Sequence, residues 1–264
     1  MTNPLPREIA PGIFWFGDCL PTMYNGAVLH GYNSVYLVTG DDCSLLVEGG
    51  HPKDLSVVES QLEEVLSRGV PELRYVFVTH TETPHSSGIG RILEHFPNVT
   101  AVGSLLDAHL VFPQYEGRMR MLDPGTGLDL GGTTFRVVEA VIRDMPYTRW
   151  GFDERRGVLF PGDGFAYSHY HQDGHCGLLS EEAPSIDLVE ELSLFAELAL
   201  FWTKFVDIGP YLDQLEAMLN TLDVRMVAPT HGLPIGDVAG TFPRVRAGLE
   251  LGSERETTPG FIGS

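Results

Sequence analysis

Thr79-His80-Thr81-Glu82-Thr83-Pro84-His85-Ser86-Ser87-Gly88 follows an apolar run, Leu73 to Val78, and precedes a helical one, Gly88 to Phe96. Two imidazoles and a carboxylate, spaced His-x-Glu-x-x-His, therefore fall on a short turn at the end of a strand. Pro84 has no backbone N–H and restricts Thr83 before it, so the spacing predicts a loop rather than one helix face carrying all three. Loops at strand ends are where rigid scaffolds display functional side chains. Imidazole together with carboxylate suits iron, zinc or manganese. The plain alternative, a polar turn with two solvated histidines, predicts no matching ligands elsewhere in the chain.

Three later stretches do match. Val141-Ile142-Arg143-Asp144-Met145-Pro146 offers Asp144, and Val158-Leu159-Phe160-Pro161-Gly162-Asp163-Gly164 offers Asp163 between two glycines. Met226-Val227-Ala228-Pro229-Thr230-His231-Gly232 offers His231. Each has the same order: an apolar strand, small or proline residues, then a ligand. Any one alone reads as a turn. The four together read as a metal centre.

The rest of the chain sets the frame. It has 264 residues, 43% of them hydrophobic, enough for a sizeable core and compatible with one domain over residues 1–264. A net charge of −19 repels phosphate backbones and anionic lipid, which argues against nucleic-acid and membrane partners. No apolar run reaches membrane-spanning length, and Met1 to Pro6 has no basic then apolar leader, so a cytoplasmic protein is expected. Cys19, Cys43 and Cys176 form neither a disulfide framework nor a CxxC knuckle.

Elements follow from periodicity and turn residues. Residues 8–17, 28–38 and 43–47 read as meandering strands, the second with a bend at Gly31 or Asn33. Residues 55–66 read as a helix, 98–102 as a strand, and 104–110 as a short helix capped by Ser104. Strands are expected at 119–122, 127–130, 133–142, 148–152 and 157–160. Helices are expected over about 186–205 and 210–222, then a strand at 225–228 and a closing helix at about 238–251. The polar tail after 252 is expected to fray. Strands then helices, twice over, argue for an α/β fold of two sheets face to face with helices outside.

With these motifs assembled, the chain resembles the metallo-β-lactamase fold superfamily, a four-layer αββα sandwich. It is most similar to the oxygen-binding di-iron branch, typified by flavodiiron proteins. That branch carries His-x-Glu-x-Asp-His in the first loop, where hydrolases carry His-x-His-x-Asp-His; here stand His80, Glu82 and His85. Gly162-Asp163 matches the family's bridging aspartate, and Pro229-Thr230-His231-Gly232 its last histidine. The resemblance covers about residues 8–250. Two departures stand out. Pro84 replaces the family's aspartate before the second loop histidine, and Asp144 stands where most members have a third histidine.

The resemblance implies a pair of metals, iron foremost, with zinc or manganese as alternatives. The ligands would be His80, Glu82, Asp144 and bridging Asp163 for one ion, and His85, His231 and Asp163 for the other. It implies a di-iron oxidoreductase that binds and activates or reduces O2 or NO, or oxygenates a small organic substrate. Flavodiiron proteins fuse a flavodoxin domain that this chain stops before, so electrons are expected from a separate carrier. A homodimer fits the same resemblance. The rival readings are a metal-dependent hydrolase, a non-catalytic O2- or NO-binding sensor module, and a member holding one metal or none. The stretch Ser168-His169-Tyr170-His171-Gln172-Asp173-Gly174-His175-Cys176 offers His169, His171 and His175 as catalytic acid–base groups, or simply a polar loop. Tyr24, Tyr32, Phe165, Tyr167 and Trp202 are candidates for the pocket wall or the core, His30 for a pocket or a hydrogen-bonded strand residue, and Cys176 for a weak ligand.

Overall fold

Trp15 and Phe16 are both fully buried although neighbours on a strand point to opposite faces. Their sheet must therefore be covered on both sides, and the computed structural model, which describes residues 4–24, 27–170, 176–183 and 186–255, shows how.

In chain order the first half runs β1 (Arg7–Ala10), β2 (Ile13–Phe16), β3 (Cys19–Tyr24), β4 (Ala27–Tyr32), β5 (Val35–Thr39), β6 (Ser44–Val47), α1 (Leu55–Ser67), β7 (Leu73–Val78), α2 (Thr83–Ser86), α3 (Ile89–His95), β8 (Thr100–Gly103), α4 (Ala108–Val111) and β9 (Met119–Met121). The second half runs β10 (Gly127–Asp129), β11 (Thr134–Glu139), β12 (Arg149–Asp153), β13 (Val158–Phe160), β14 (His169–Tyr170), α5 (Leu188–Ala199), α6 (Gly209–Thr221), β15 (Met226–Val227) and α7 (Val238–Glu254). One sheet has the order β1-β2-β5-β6-β7-β8-β9, the second β10-β11-β12-β13-β15, and a small third sheet β14-β4-β3.

Alternation along the strands assigns the layers. Phe14, Phe16, Val35, Leu37, Leu46, Val76 and Val78 face outward onto Val58, Leu62, Val65, Ile89 and Leu93 of α1 and α3. Ile13, Trp15, Tyr36, Val38, Val47 and Phe77 face inward onto Phe135, Val137 and Phe160 of the second sheet. The sheets meet through ring pairs, Phe77 with Phe135 at 5.0 Å and Tyr36 with Phe160 at 5.5 Å. The second sheet is covered by α5, α6 and α7 through Leu188, Leu192, Leu212, Leu215, Val245 and Leu249. The result is the expected four-layer αββα sandwich. Each buried aromatic or aliphatic side chain contributes about 1.5–3 kcal/mol relative to exposure, which is why the strands carry little else.

Several boundaries differ from the sequence reading, each for a local reason. Residues 28–38 are two strands in different sheets. The chain breaks at Asn33-Ser34, where the Ser34 amide donates to the Thr230 carbonyl at 2.8 Å and the Trp15 indole donates to Ser34 Oγ at 2.9 Å. β3 and β14 escape periodicity because they pair only with β4 in the small sheet. Residues 83–86 form a helical turn rather than loop: Pro84 sits in the first turn, where a missing N–H costs nothing. The helix expected from Ser104 starts at Ala108, because the Ser104 amide bonds the Val78 carbonyl at 2.9 Å. α7 continues to Glu254, so the segment after 252 begins as helix; residues 256–264 lie outside the described residues.

The first loop is pressed against the end of β6. The Gly49 amide donates to the His85 carbonyl at 2.5 Å, and a Cβ on Gly88 would stand 1.9 Å from the Gly49 oxygen. Only glycine permits that approach.

Candidate metal centre

Each ligand-bearing stretch leaves the same end of the sandwich: β7 leads to His80, Glu82 and His85, β13 to Asp163, and β15 to His231. Asp144 lies between β11 and β12, and the Arg149 amide that opens β12 donates to the Thr79 carbonyl at 2.9 Å. The structure brings all six side chains into one cluster. His80 and His85 are fully buried, Asp163 and Asp144 nearly so, His231 is 16% exposed and Glu82 47%.

Asp163 stands at the middle. Its Oδ2 lies 3.9 Å from His80 Nε2, while its Oδ1 lies 3.3 Å from His85 Nε2 and 3.4 Å from His231 Nε2. On the His80 side, Asp144 Oδ2 is 3.2 Å and Glu82 Oε2 3.9 Å from the same Nε2. Ligand atoms of His80, Glu82, His85 and Asp163 all fall within 4.8 Å of one another. Yet His80 Nε2, His85 Nε2, Asp144 Oδ2 and Asp163 Oδ1 are buried and accept or donate no hydrogen bond among the described residues. Buried polar atoms are ordinarily satisfied. Four convergent orphans, all of ligand type, fit cations that would satisfy them.

The far side of each imidazole fixes which nitrogen is available. His85 Nδ1 is 3.0 Å from Glu48 Oε1, and His231 Nδ1 is 2.7 Å from the Tyr32 carbonyl. Both partners only accept, so each Nδ1 carries the proton. Thr79 Oγ1 gives its one proton to Glu48 at 2.5 Å and must accept from His80 Nδ1 at 3.1 Å. All three Nε2 atoms therefore present lone pairs to the centre, the tautomer that metal binding requires.

Electrostatics follow from the same packing. Burial opposes charge on His85, but the Glu48 and Asp163 carboxylates outweigh it and raise its pKa well above the ordinary imidazole range. Burial alone would raise Asp163; His85 and His231 reverse that and hold it below the usual carboxylate range. Burial lowers His231 despite Asp163. Asp144 is raised by burial, partly offset by His80, whereas the neighbouring His80 imidazole lowers Glu82.

Sequence reading missed the groups behind the ligands. Glu48 is fully buried in a left-handed backbone conformation, φ 70°, and accepts from the Thr79 amide, Thr79 Oγ1, His85 and Thr230 Oγ1. Its signal was present: Leu45-Leu46-Val47-Glu48-Gly49-Gly50 has the strand-then-ligand order of the other loops. His169 is fully buried; its ring stacks on Tyr32 at 6.4 Å and lies 6.2 Å from His30. His171 and His175 lie outside the described residues, as does the Tyr24 side chain. Tyr32, Phe165 and Tyr167 are core residues. Trp202 lines a cavity of about 250 Å³ with Asp144, Met145 and Tyr211, its indole donating to the Arg143 carbonyl at 2.5 Å.

Comparison with known proteins gives the family and the fold. The family model of the metallo-beta-lactamase superfamily matches residues 29–240, and the chain belongs to that superfamily. It is 30% identical over 241 residues to coenzyme F420H(2) oxidase of Methanothermobacter thermautotrophicus, an alignment covering 86% of this chain and 57% of that protein. The chain thus spans little more than half the length of that curated relative. Among solved structures it is similar to rubredoxin oxygen:oxidoreductase of Desulfovibrio gigas, with TM-score 0.74, 15% identity, and 95% of this chain and 62% of that one covered. It is similar also to the flavodiiron protein of Giardia intestinalis, with TM-score 0.72, 17% identity, and 93% and 59% covered. At these identities the solved structures show the fold. No helix among the described residues is long and apolar enough to cross a membrane.

Proposed function

We propose that the chain is a non-haem di-iron oxidoreductase that binds and reduces or activates O2 or NO, with electrons from a separate carrier. The observation that carries this is the division of Asp163: one oxygen faces His80, with Glu82 and Asp144 beside it, and the other faces His85 and His231. One ion would take His80, Glu82, Asp144 and Asp163, a hard, carboxylate-rich set that suits iron or manganese over zinc. The other would take His85, His231 and Asp163, the two-histidine, one-carboxylate composition that leaves positions open for a small ligand. Two irons would supply one-electron redox steps at adjacent sites.

The protein's own groups do the rest. Glu48, Thr79 and the Tyr32 carbonyl hold the three imidazoles in the ligating tautomer. Pro84 adds no ligand, which keeps the second position open. Glu82, half exposed, is the most exposed of the six side chains. The names of the relatives agree in kind: an oxidase of a reduced coenzyme and an oxygen oxidoreductase named for rubredoxin. Three cysteines that form no disulfide fit a reducing, cytoplasmic setting.

The test is elemental analysis of protein purified without added metal, followed by an oxygen-electrode assay of the iron-loaded, chemically reduced protein. Two irons per chain and O2 uptake that depends on reductant are expected. Zinc in their place, with hydrolysis of an ester or lactam probe and no O2 uptake, would move the assignment to a hydrolase.

A further inference from the structure

A second group of ligand-type side chains lies outside the centre just described. Cys19 on β3 and His30 on β4 belong to one hairpin, and Cys176 follows β14, the third strand of that small sheet. Cys19 Sγ is 2.9 Å from His30 Nδ1, and all three ligand atoms lie within 4.8 Å of one another. All three residues are half-buried, and no disulfide joins the two cysteines.

Sulfur and nitrogen ligands around one tetrahedral zinc, bound at roughly 2.3 and 2.0 Å, stand about 3.5–3.8 Å apart. The three atoms therefore need shift by less than about 1 Å to share an ion. We propose that Cys19, His30 and Cys176 form a separate zinc site, a Cys2His set with its fourth position left to water. Two thiolates and one imidazole are a soft set, opposite in character to the carboxylate-rich first centre, so the two sites select different metals. Binding removes one proton from each thiol and none from His30, whose Nδ1 faces the ion as a neutral donor; two protons are released per zinc.

The site has a route to the first centre. Tyr32 is two residues beyond His30 on β4. Its hydroxyl accepts the Gly177 amide at 2.7 Å, next to Cys176, and its carbonyl accepts His231 Nδ1 at 2.7 Å. An ion that ties Cys176 to Cys19 and His30 therefore fixes both ends of Tyr32, and Tyr32 sets the orientation of His231.

The experiment uses the full chain, iron-loaded, with zinc and iron counted together by elemental analysis. One zinc beyond two irons is expected for the unaltered protein. Cys19→Ser and Cys176→Ser should each lower that zinc roughly tenfold or more while iron stays at two. Zinc content unchanged by either substitution would overturn the proposal. Should a variant fail to fold, cobalt titration of the unaltered protein decides: a cobalt–thiolate charge-transfer band in the near ultraviolet supports the site, and saturation without such a band overturns it. A Cys19–Cys176 disulfide in protein purified under reducing conditions would also overturn it. The cobalt–thiolate band does not depend on iron, so failure of the di-iron assignment and failure of this one are read separately.

Discussion

Glu48 Oε1 lies 3.0 Å from His85 Nδ1 and 2.5 Å from Thr79 Oγ1, so one buried carboxylate orients two histidines, one directly and one through a hydroxyl. A partner behind a ligating imidazole typically carries about 10–100-fold in metal affinity. Glu48→Gln keeps the shape and loses the charge. It should cost the His85 ion about that factor, measured by competition with a chromogenic chelator, and the His80 ion less. Equal loss at both sites would show that Glu48 acts on the fold rather than on His85.

Pro84→Asp supplies a carboxylate in the first turn of α2, one residue before His85. The turn tolerates it, since an acidic residue is favourable near a helix N-terminus. Chelator-driven loss of the second ion should slow by about tenfold, a gain of roughly 1.4 kcal/mol. An unchanged loss rate would mean that a side chain at 84 does not reach the ion.

Some of this is legible in the sequence and some is not, and the division is physical. His80, Glu82, His85, Asp163 and His231 could be singled out because each follows an apolar strand, and an apolar run ending in a polar residue is a local signal. The layered fold was legible for the same reason: runs such as Ile13 to Phe16 are apolar on both faces. Glu48 carries the same local signal and was passed over, while the Tyr32 carbonyl has none, because backbone groups are chemically alike in every residue. The break at Asn33-Ser34 was invisible because its cause, the Thr230 carbonyl, lies nearly two hundred residues away. The pairing of Cys19 and His30 with Cys176 is likewise a product of the β4–β14 register, His30 opposite His169, that periodicity does not specify.

Glu191 on α5 is 2% exposed and its Oε2 has no hydrogen bond among the described residues. Burial first, then Glu190 and Asp187, push its carboxyl up to about 7. The unfolded chain loses that proton near the ordinary glutamate value of about 4.3. Between those values the folded state holds a proton that the unfolded state has released, so stability falls as pH rises through that window. Glu191→Gln should stabilise the protein by about 1–3 kcal/mol at pH ~8 and by almost nothing at pH ~4. Urea unfolding at the two pH values measures the difference.

Gly88→Ala places a methyl group against the Gly49 carbonyl, where no flexible side chain can yield. The expected cost is about 1–3 kcal/mol in thermal or urea unfolding. Because the His85 carbonyl bonds the Gly49 amide, metal retention should fall with it. Loss of stability with metal content intact would separate the Gly49–Gly88 contact from the placement of His85.

The ligands are dispersed from position 80 to position 231 of a 264-residue chain. A ribosome releases the chain from its beginning, so a growing polypeptide offers His80, Glu82 and His85 long before Asp163 exists, and Asp163 long before His231. Asp163 could not share an ion with His231 until β15 and the turn after it have emerged. A centre built from these residues would therefore be complete only once the chain as far as His231 has been made.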